Sequence, residues 1–338
     1  MTMSRLFYVP VTRVFLALAC LLPAHAFAFR LLTAADSPHF FQQELVIPKG
    51  DTLYLGPGAV LLFGEDSNLI IEGKFFALGT KSRPVLLAPA KGLENWGKLI
   101  LRNAGSMGSL RHVRLEGIRM QTLETDLQLQ FVEFHRRKRL TLAENTLLFR
   151  KGSLWVDQSV ICGNGTGEGL IIIKGRGQVK VQNSYFEAVS DAVEFIQVDS
   201  GIILGNVILA KNAEDDGIDL NGCLGVQILY NQVVGYPDQG IEIGDDNFGP
   251  CHKIICRGNV LRDCKTGMVV KEGSMASLQG NLFLNNEVAL HCATLEKGRG
   301  PGTAYSRNCW FLGTENEVFR TADEGSIHAR WSWIIPAS

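Results

Sequence analysis

A repeat of about two dozen residues is the feature that most restricts how this chain can fold. An asparagine precedes an apolar pair at intervals through the second half of the sequence, at Asn183, Asn206, Asn231, Asn259, Asn281 and Asn308. Neighbouring positions differ by 23, 25, 28, 22 and 27 residues, and Gln158 in "VDQSVI" lies 25 residues before Asn183. Steps of variable length indicate loops of different size inserted into one constant structural unit.

The repeated unit has the pattern of short strands. Runs such as "VQILYN", "NQVVG" and "GIEIG" are rich in Val, Ile and Leu and are separated by Gly, Asn and Asp, with no helical apolar stripe between them. Strands that repeat without crossover helices predict an all-β solenoid of parallel strands, in which each coil pairs with the next. Roughly a dozen coils fit at this period. The stacked asparagine amides are expected to hydrogen-bond from coil to coil.

Composition is consistent with a folded chain that has a large core. The sequence has 338 residues, is 46% hydrophobic, contains 36 glycines and carries a formal net charge of -1. Because this charge is close to zero, the sequence gives no electrostatic indication of a nucleic-acid or membrane-surface partner.

The N-terminus has the pattern of an export signal. Two arginines precede the apolar run from Val14 to Leu22, and small-x-small sites for cleavage follow at residues 24–28. We therefore expect residues 1–28 to be a signal peptide and the protein to be secreted or periplasmic. No later apolar stretch is long enough for a membrane span. The expected organisation is a lead-in at 29–43, the solenoid at 44–330 and a C-terminal tail at 331–338.

Two parts of the chain resemble a known fold family. "IPKGDTLYLGPGAVLLF" and "NWGKLILRN" look like the opening coils of secreted bacterial right-handed parallel β-helix proteins of the pectate-lyase-like superfamily. "DDGIDLNG", "DQGIEIGDDN" and "TGMVVKEGS" are similar to β-helix regions of bacterial surface proteins and, more distantly, to polysaccharide lyases. The resemblance implies a right-handed parallel β-helix whose partner is a polysaccharide or a cell-envelope glycan.

Alignment of the coils predicts a column of carboxylates. The Gly or Ala that opens one strand of each coil occurs in "DAVEF", "DGIDL", "QGIEI", "TGMVV" and "VALHC". Side chains alternate between the two faces of a strand, and equivalent residues of adjacent coils lie about 4.8 Å apart. The residues of one outward column are then Glu194, Asp219, Glu242, Val269 and His291.

Like charges at strand spacing repel, so something is expected to offset them. The alternatives are a bound cation such as Ca²⁺, shared protons with raised pKa values, or a basic neighbour. Lys271, one coil beyond Glu242 and two residues further along, is placed to reach the acids. The sets predicted from this geometry are catalytic Asp219, Glu242, Lys271 and His291, substrate-binding Glu194, Asp216 and Asp238, and metal-ligating Asp191, Asp215, Asp219 and Glu242.

Two functions remain open at this point. The first is an enzyme acting on an acidic polysaccharide, as a lyase or epimerase ahead of a hydrolase, in which Lys271 or His291 removes the ring proton. The second is a non-catalytic surface or envelope protein that binds glycan or metal. Turn signals such as Asp-Asp-Gly and a solvated acidic stripe explain the same residues without any site.

One disulfide is predicted. Cys223 and Cys251 each lie eight residues before the next asparagine of the repeat, at 231 and 259, so they are expected to stack on neighbouring coils. Strand spacing is within the Cα separation that a disulfide accepts.

Overall fold

The structure of the protein is a computed structural model. It describes residues 28–135, 145–163, 167–187, 189–244, 247–294, 299–314, 316–322 and 324–335. The predicted signal peptide lies outside the described residues except for Ala28.

The described residues contain one short 3-10 helix, Ala34–Asp36, and no helix long and apolar enough to cross a membrane. The strands, in chain order, are β1 (Phe29–Leu32), β2 (His39–Phe41), β3 (Leu45–Ile47), β4 (Thr52–Leu55), β5 (Val60–Phe63), β6 (Leu69–Ile71), β7 (Lys74–Leu78), β8 (Val85–Pro89), β9 (Lys98–Glu116), β10 (Arg119–His135), β11 (Leu147–Arg150), β12 (Leu154–Asp157), β13 (Val160–Cys162), β14 (Leu170–Ile173), β15 (Val179–Gln182), β16 (Tyr185–Glu187), β17 (Val193–Ile196), β18 (Ile202–Leu204), β19 (Val207–Leu209), β20 (Ile218–Asn221), β21 (Gln227–Leu229), β22 (Gln232–Val234), β23 (Gln239–Gly244), β24 (Ile254–Arg257), β25 (Val260–Arg262), β26 (Thr266–Lys271), β27 (Met275–Gln279), β28 (Leu282–Leu284), β29 (Val288–Ala293), β30 (Thr303–Arg307), β31 (Trp310–Leu312), β32 (Glu317–Thr321), β33 (Ser326–Arg330) and β34 (Trp333–Ile335).

Each coil contributes one strand to each of three sheets, and every strand pairs in parallel with the equivalent strand of the next coil. The first sheet begins with β1 and β4, the second with β2 and β5, and the third with β3 and β6. The long strands β9 and β10 bend through two corners and so belong to all three sheets. About a dozen coils result, which confirms the predicted all-β parallel solenoid.

The solenoid extends beyond the bounds of 44 and 330 that the sequence indicated. Strand β1 pairs with β4, so residues 29–32 belong to the first coil rather than to a separate lead-in. At the other end β34, within the predicted tail, pairs with β31. Coil-to-coil hydrogen bonds therefore continue to Ile335.

The core fills the lumen of the solenoid. Inward positions alternate along each strand and are almost wholly buried, as Val193, Phe195, Ile218, Leu220 and Ile243 show. Larger side chains stack along the axis. The rings of Phe283 and Phe311, on adjacent coils, lie 4.8 Å apart and nearly parallel.

An amide ladder runs along the corner between the first and second sheets. Asn206 donates from both its backbone N–H and its Nδ2 to Oδ1 of Asn231, at 2.9 Å each. Asn231 repeats this with Asn259, and Asn259 with Asn281. Each of these amides is fully buried, so the ladder satisfies polar groups that no water reaches.

The sequence alignment was wrong by one residue at three positions of this ladder. The ladder residues are Ser159, Ser184 and Cys309, not Gln158, Asn183 and Asn308. The residue before each ladder position has positive φ, and Asn183 (φ 50°) and Asn308 (φ 53°) occupy that place. Asparagine tolerates the left-handed region better than most residues, so it fits either position and misleads an alignment by residue type.

We predict that Asn231→Ala lowers the free energy of unfolding by about 2 kcal/mol, because it leaves neighbouring buried polar groups without partners. Asn308→Gly is the matched control, since glycine suits a positive φ and the side chain lies outside the ladder. Chemical denaturation of both variants measures the difference. Equal stability of Asn231→Ala and the wild type would show that the ladder contributes nothing net.

Candidate functional site

The third sheet carries the predicted column of carboxylates on its outer side. Glu194 of β17 pairs with Asp219 of β20, and Asp219 pairs with Glu242 of β23. The column continues through Val269 of β26 to His291 of β29. The predicted register is therefore confirmed.

These outward positions are less exposed than a solvated stripe would be. Asp219 and Glu242 each retain 6% of their accessible surface. The chain after β23 folds back over the ends of the strands, where the carbonyl oxygen of Phe248 accepts a hydrogen bond from Gln197 Nε2 at 3.5 Å and closely approaches Gly222. Alternation of side chains along a strand predicts exposure at outward positions, so it does not predict the burial of Asp219 and Glu242.

Lys271 reaches the column as predicted. Its Nζ lies 2.7 Å from Oε1 of Glu242, and the two side chains are 13% and 8% exposed. A Cβ at Gly244 would lie 2.5 Å from Lys271 Cε and 3.4 Å from Glu242 Oε1. Gly244 therefore leaves the space through which the lysine side chain crosses back over one coil to meet the glutamate.

The surroundings of Asp219 affect its ionisation. Its Oδ2 accepts a hydrogen bond from Asn221 Nδ2 at 2.6 Å, while Oδ1 is buried without a hydrogen-bond partner. Burial raises the pKa of Asp219 well above its usual value, and the charges of Glu242 and Asp191 raise it further. Both effects favour the protonated form of this carboxyl beside the ion pair.

Three aspartates form a second group beside the column. Oxygen atoms of Asp191, Asp215 and Asp216 all lie within 4.8 Å of one another. Burial, followed by the charge of Asp215, raises the pKa of Asp191 to about 8. Burial, followed by the charge of Glu242, also raises the pKa of Asp216 well above its usual value.

Backbone hydrogen bonds hold two of these carboxyls in place. Asp191 Oδ1 accepts the N–H of Asp216 at 2.9 Å, and Asp216 Oδ1 accepts the N–H of Gln239 at 2.7 Å. The trio has one member, Asp216, that the sequence had assigned to substrate binding. Asp219 and Glu242, predicted as metal ligands, are not in this trio.

Asp238 and His291 are separate from these groups. Asp238 forms an ion pair with Lys265 at 3.1 Å, and both side chains are largely exposed. His291 is separated from Glu242 by Val269, so it lies two strand spacings away. Burial and the charge of Arg320 lower the pKa of His291, and its Nε2 has no hydrogen-bond partner. The imidazole is thus neutral at neutral pH.

Cys223 and Cys251 lie on neighbouring coils, as predicted, and are buried free thiols in this structure. The N–H of Cys223 lies 3.1 Å from Cys251 Sγ. The hydrogen bond with Cys223 and burial raise the pKa of the Cys251 thiol above its usual value. The disulfide between them stays a prediction.

Two residues of the site were missed by the sequence reasoning. Asn221 binds Asp219, and Gly244 makes room for Lys271. Both lie two residues after a carboxylate of the column, and adjacent-coil alignment pairs Asn221 with Gly244. The sequence could have indicated both residues, because each occupies the next outward position along its strand after a carboxylate of the column.

Comparison with known proteins supports the fold. Residues 145–298 match the family described as "Periplasmic copper-binding protein (NosD)". The crystal structure of the periplasmic alginate epimerase AlgG has a TM-score of 0.67 at 10% identity, covering 90% of this chain and 83% of that chain. A threonine-to-asparagine mutant of AlgG has a TM-score of 0.51 with the same identity and coverage. No protein of curated function matches the sequence.

The resemblance to right-handed parallel β-helix proteins is confirmed by these comparisons. At 10% identity, the likeness to the solved structures shows a shared fold. Function has to be argued from the residues of the site.

We predict that stability falls as pH rises from about 6.5 to about 8, a window above the titration of His291. Acids with raised pKa values contribute stability at low pH and lose it as pH rises through the folded pKa. Each such carboxyl changes the free energy of unfolding by about 1.4 kcal/mol per pH unit. Asp219→Asn removes one of them and flattens the decline.

The measurement is the thermal midpoint of the wild type, Asp219→Asn and the control Asp238→Asn across this window. Asp238→Asn should parallel the wild type because it breaks an exposed ion pair. If Asp219→Asn also parallels the wild type, Asp219 is ionised in the folded protein and the proposed protonation is wrong.

Proposed function

We propose that this chain is an exported protein that acts on an acidic polysaccharide at the Glu242–Lys271 pair, as a lyase or epimerase. The observation that carries the proposal is an ion pair of 2.7 Å whose two side chains are 13% and 8% exposed, beside Asp219, a carboxyl on the adjacent coil whose pKa is raised by burial. The fold shared with an alginate epimerase is consistent with this proposal. Export rests on the signal pattern of residues 1–28.

The chemistry assigns one role to each member of the pair. The Lys271 ammonium binds the uronate carboxylate and stabilises the negative charge that develops on it when the adjacent ring proton leaves. The Glu242 carboxylate, within 2.7 Å of Nζ, takes that proton. A proton delivered from water to the opposite face gives the epimer. Departure of the 4-linked oxygen with the bonding electron pair, which then takes a proton from water, gives the unsaturated product. In both cases Glu242 returns its proton to water and is ready for the next turnover.

Asp219 and His291 have other places in this scheme. Asp219 Oδ1 is buried, so Asp219 is a positioning residue that acts on Glu242 rather than on the sugar. His291 lies about 10 Å from Glu242 at the backbone, two strand spacings away, which is too far to act on the same ring carbon. The sequence-based alternative that His291 is the base is therefore less well supported than the pair.

We predict that Glu242→Gln and Lys271→Gln each reduce turnover by about 10²-fold or more, because each removes a group that handles the proton or its charge. The assay follows ultraviolet absorbance of the unsaturated uronate and, separately, exchange of the ring proton with solvent deuterium on polygalacturonate and alginate. His291→Gln is the matched control and should change turnover far less. Activity that survives in both pair variants, or is lost only in His291→Gln, would overturn this assignment.

A second candidate function is non-catalytic binding of a cation, and the aspartate trio favours it. Carboxylate oxygens within 4.8 Å of one another suit a hard ion such as Ca²⁺. The description of the matched family names copper, which prefers nitrogen and sulfur ligands. Among described residues the one group of three or more potential ligands is all-oxygen, and Cys223 and Cys251 are buried, so the donors do not fit copper.

We predict that Ca²⁺ raises the thermal midpoint, and raises it more at pH 8 than at pH 6.5, because the ion replaces protons on carboxyls with raised pKa values. Asp215→Asn should remove most of the shift, while Asp238→Asn should keep it. An identical shift in Asp215→Asn would place the ion elsewhere.

A further inference from the structure

The last coils carry a second surface that is unrelated to the acidic column. On the first sheet, Arg307 of β30 pairs with Arg330 of β33, and both arginines are exposed. The same outward column contains Gln279 and, one coil earlier, Arg257. The column therefore presents guanidinium or amide donors on four successive coils.

Aromatic side chains flank this column on two sides. Tyr305 stacks on His328 with ring centroids 5.0 Å apart, and Trp310 stacks on Trp333 at 4.4 Å across the corner on the second sheet. Tyr305, Trp310 and Trp333 each remain more than 40% exposed. A groove of about 680 Å³ runs between the arginines and the first of these stacks.

We propose that this arginine–aromatic surface, formed by Arg257, Arg307, Arg330, Tyr305, Trp310 and Trp333, binds a polyuronate chain. Arg307 and Arg330 repel each other at strand spacing, and neither forms an ion pair with a described residue. A carboxylate accepts two parallel hydrogen bonds from a guanidinium and offsets this repulsion. Exposed aromatic faces can cover the apolar face of a sugar ring.

The spacing of the surface fits an extended polymer. Donors recur every coil, about 4.8 Å apart, and one sugar residue of an extended chain advances by a comparable length. Successive uronate carboxylates can therefore meet successive coils. A second copy of this chain fits less well, because a two-fold contact of the same surface would bring arginines against arginines.

This inference goes beyond the proposed reaction, since it requires no turnover and lies on other sheets. Binding of polygalacturonate, measured by tryptophan fluorescence and calorimetry, is compared with binding of its methyl ester, which has the same backbone without the charge. We expect binding to the acid form, weakening with salt, and at least tenfold weaker binding of Arg307→Gln/Arg330→Gln. Trp310→Ala should weaken binding several-fold.

Two controls keep the outcomes separate. Arg176→Gln changes an exposed arginine elsewhere on the solenoid and should bind as the wild type does. The readout is binding rather than turnover, so failure of the proposed reaction leaves this test intact. The thermal midpoint of each variant verifies folding.

Three results would overturn the proposal. The first is that the double arginine variant binds polygalacturonate as tightly as the wild type does, or that the wild type binds the methyl ester as tightly as the acid. The second is tighter binding of dextran sulfate than of polygalacturonate at the same surface, which would make sulfate the recognised group. The third is a wild-type dimer that Trp310→Ala dissociates, which would make the surface an interface between copies.

Discussion

Parallel pairing of each coil with the next is the constraint on which the rest of this structure depends. It fixes which side chains are neighbours in space, because residues a full coil apart in sequence lie one strand spacing apart. A carboxylate in one coil therefore has its environment set by the coils before and after it. The amide ladder serves the same pairing at the corner, where it satisfies buried backbone donors.

The register of the third sheet could be predicted because apolar alternation and a small residue mark each strand. A Cβ at Gly240 would lie 2.7 Å from the carbonyl oxygen of Gly267, so close stacking of coils requires a small residue there. The corner between the first two sheets was harder to predict. Asparagine is suited both to the ladder and to the left-handed position before it, and residue type alone does not separate the two.

Burial and ion pairing at the candidate site could not be predicted from alternation. Asp219 and Glu242 are each 6% exposed although both lie at outward positions of their strands, where alternation alone predicts exposure. Lys271 reached its expected partner, yet the space for it depends on Gly244. Asp238 lies among acids in the sequence but is neutralised locally by Lys265. The contacts of Lys271 and Asp238 join residues that occupy different positions in their coils, so alignment of equivalent positions does not reveal them.

The left-handed position at the corner has a consequence for how the surface of this solenoid can vary. Its side chain belongs neither to the lumen nor to the ladder, and it projects at a sharp edge once per coil, as Tyr230 and Trp331 do at 57% and 74% exposure. His112 and Phe131 occupy the same edge and stack on each other at 4.5 Å. The backbone cost of a non-glycine residue there is about 1 kcal/mol. The side chains at these positions thus form a ridge along the solenoid. Substitutions there can change the exposed surface of one coil at a time without changing the packing of the core.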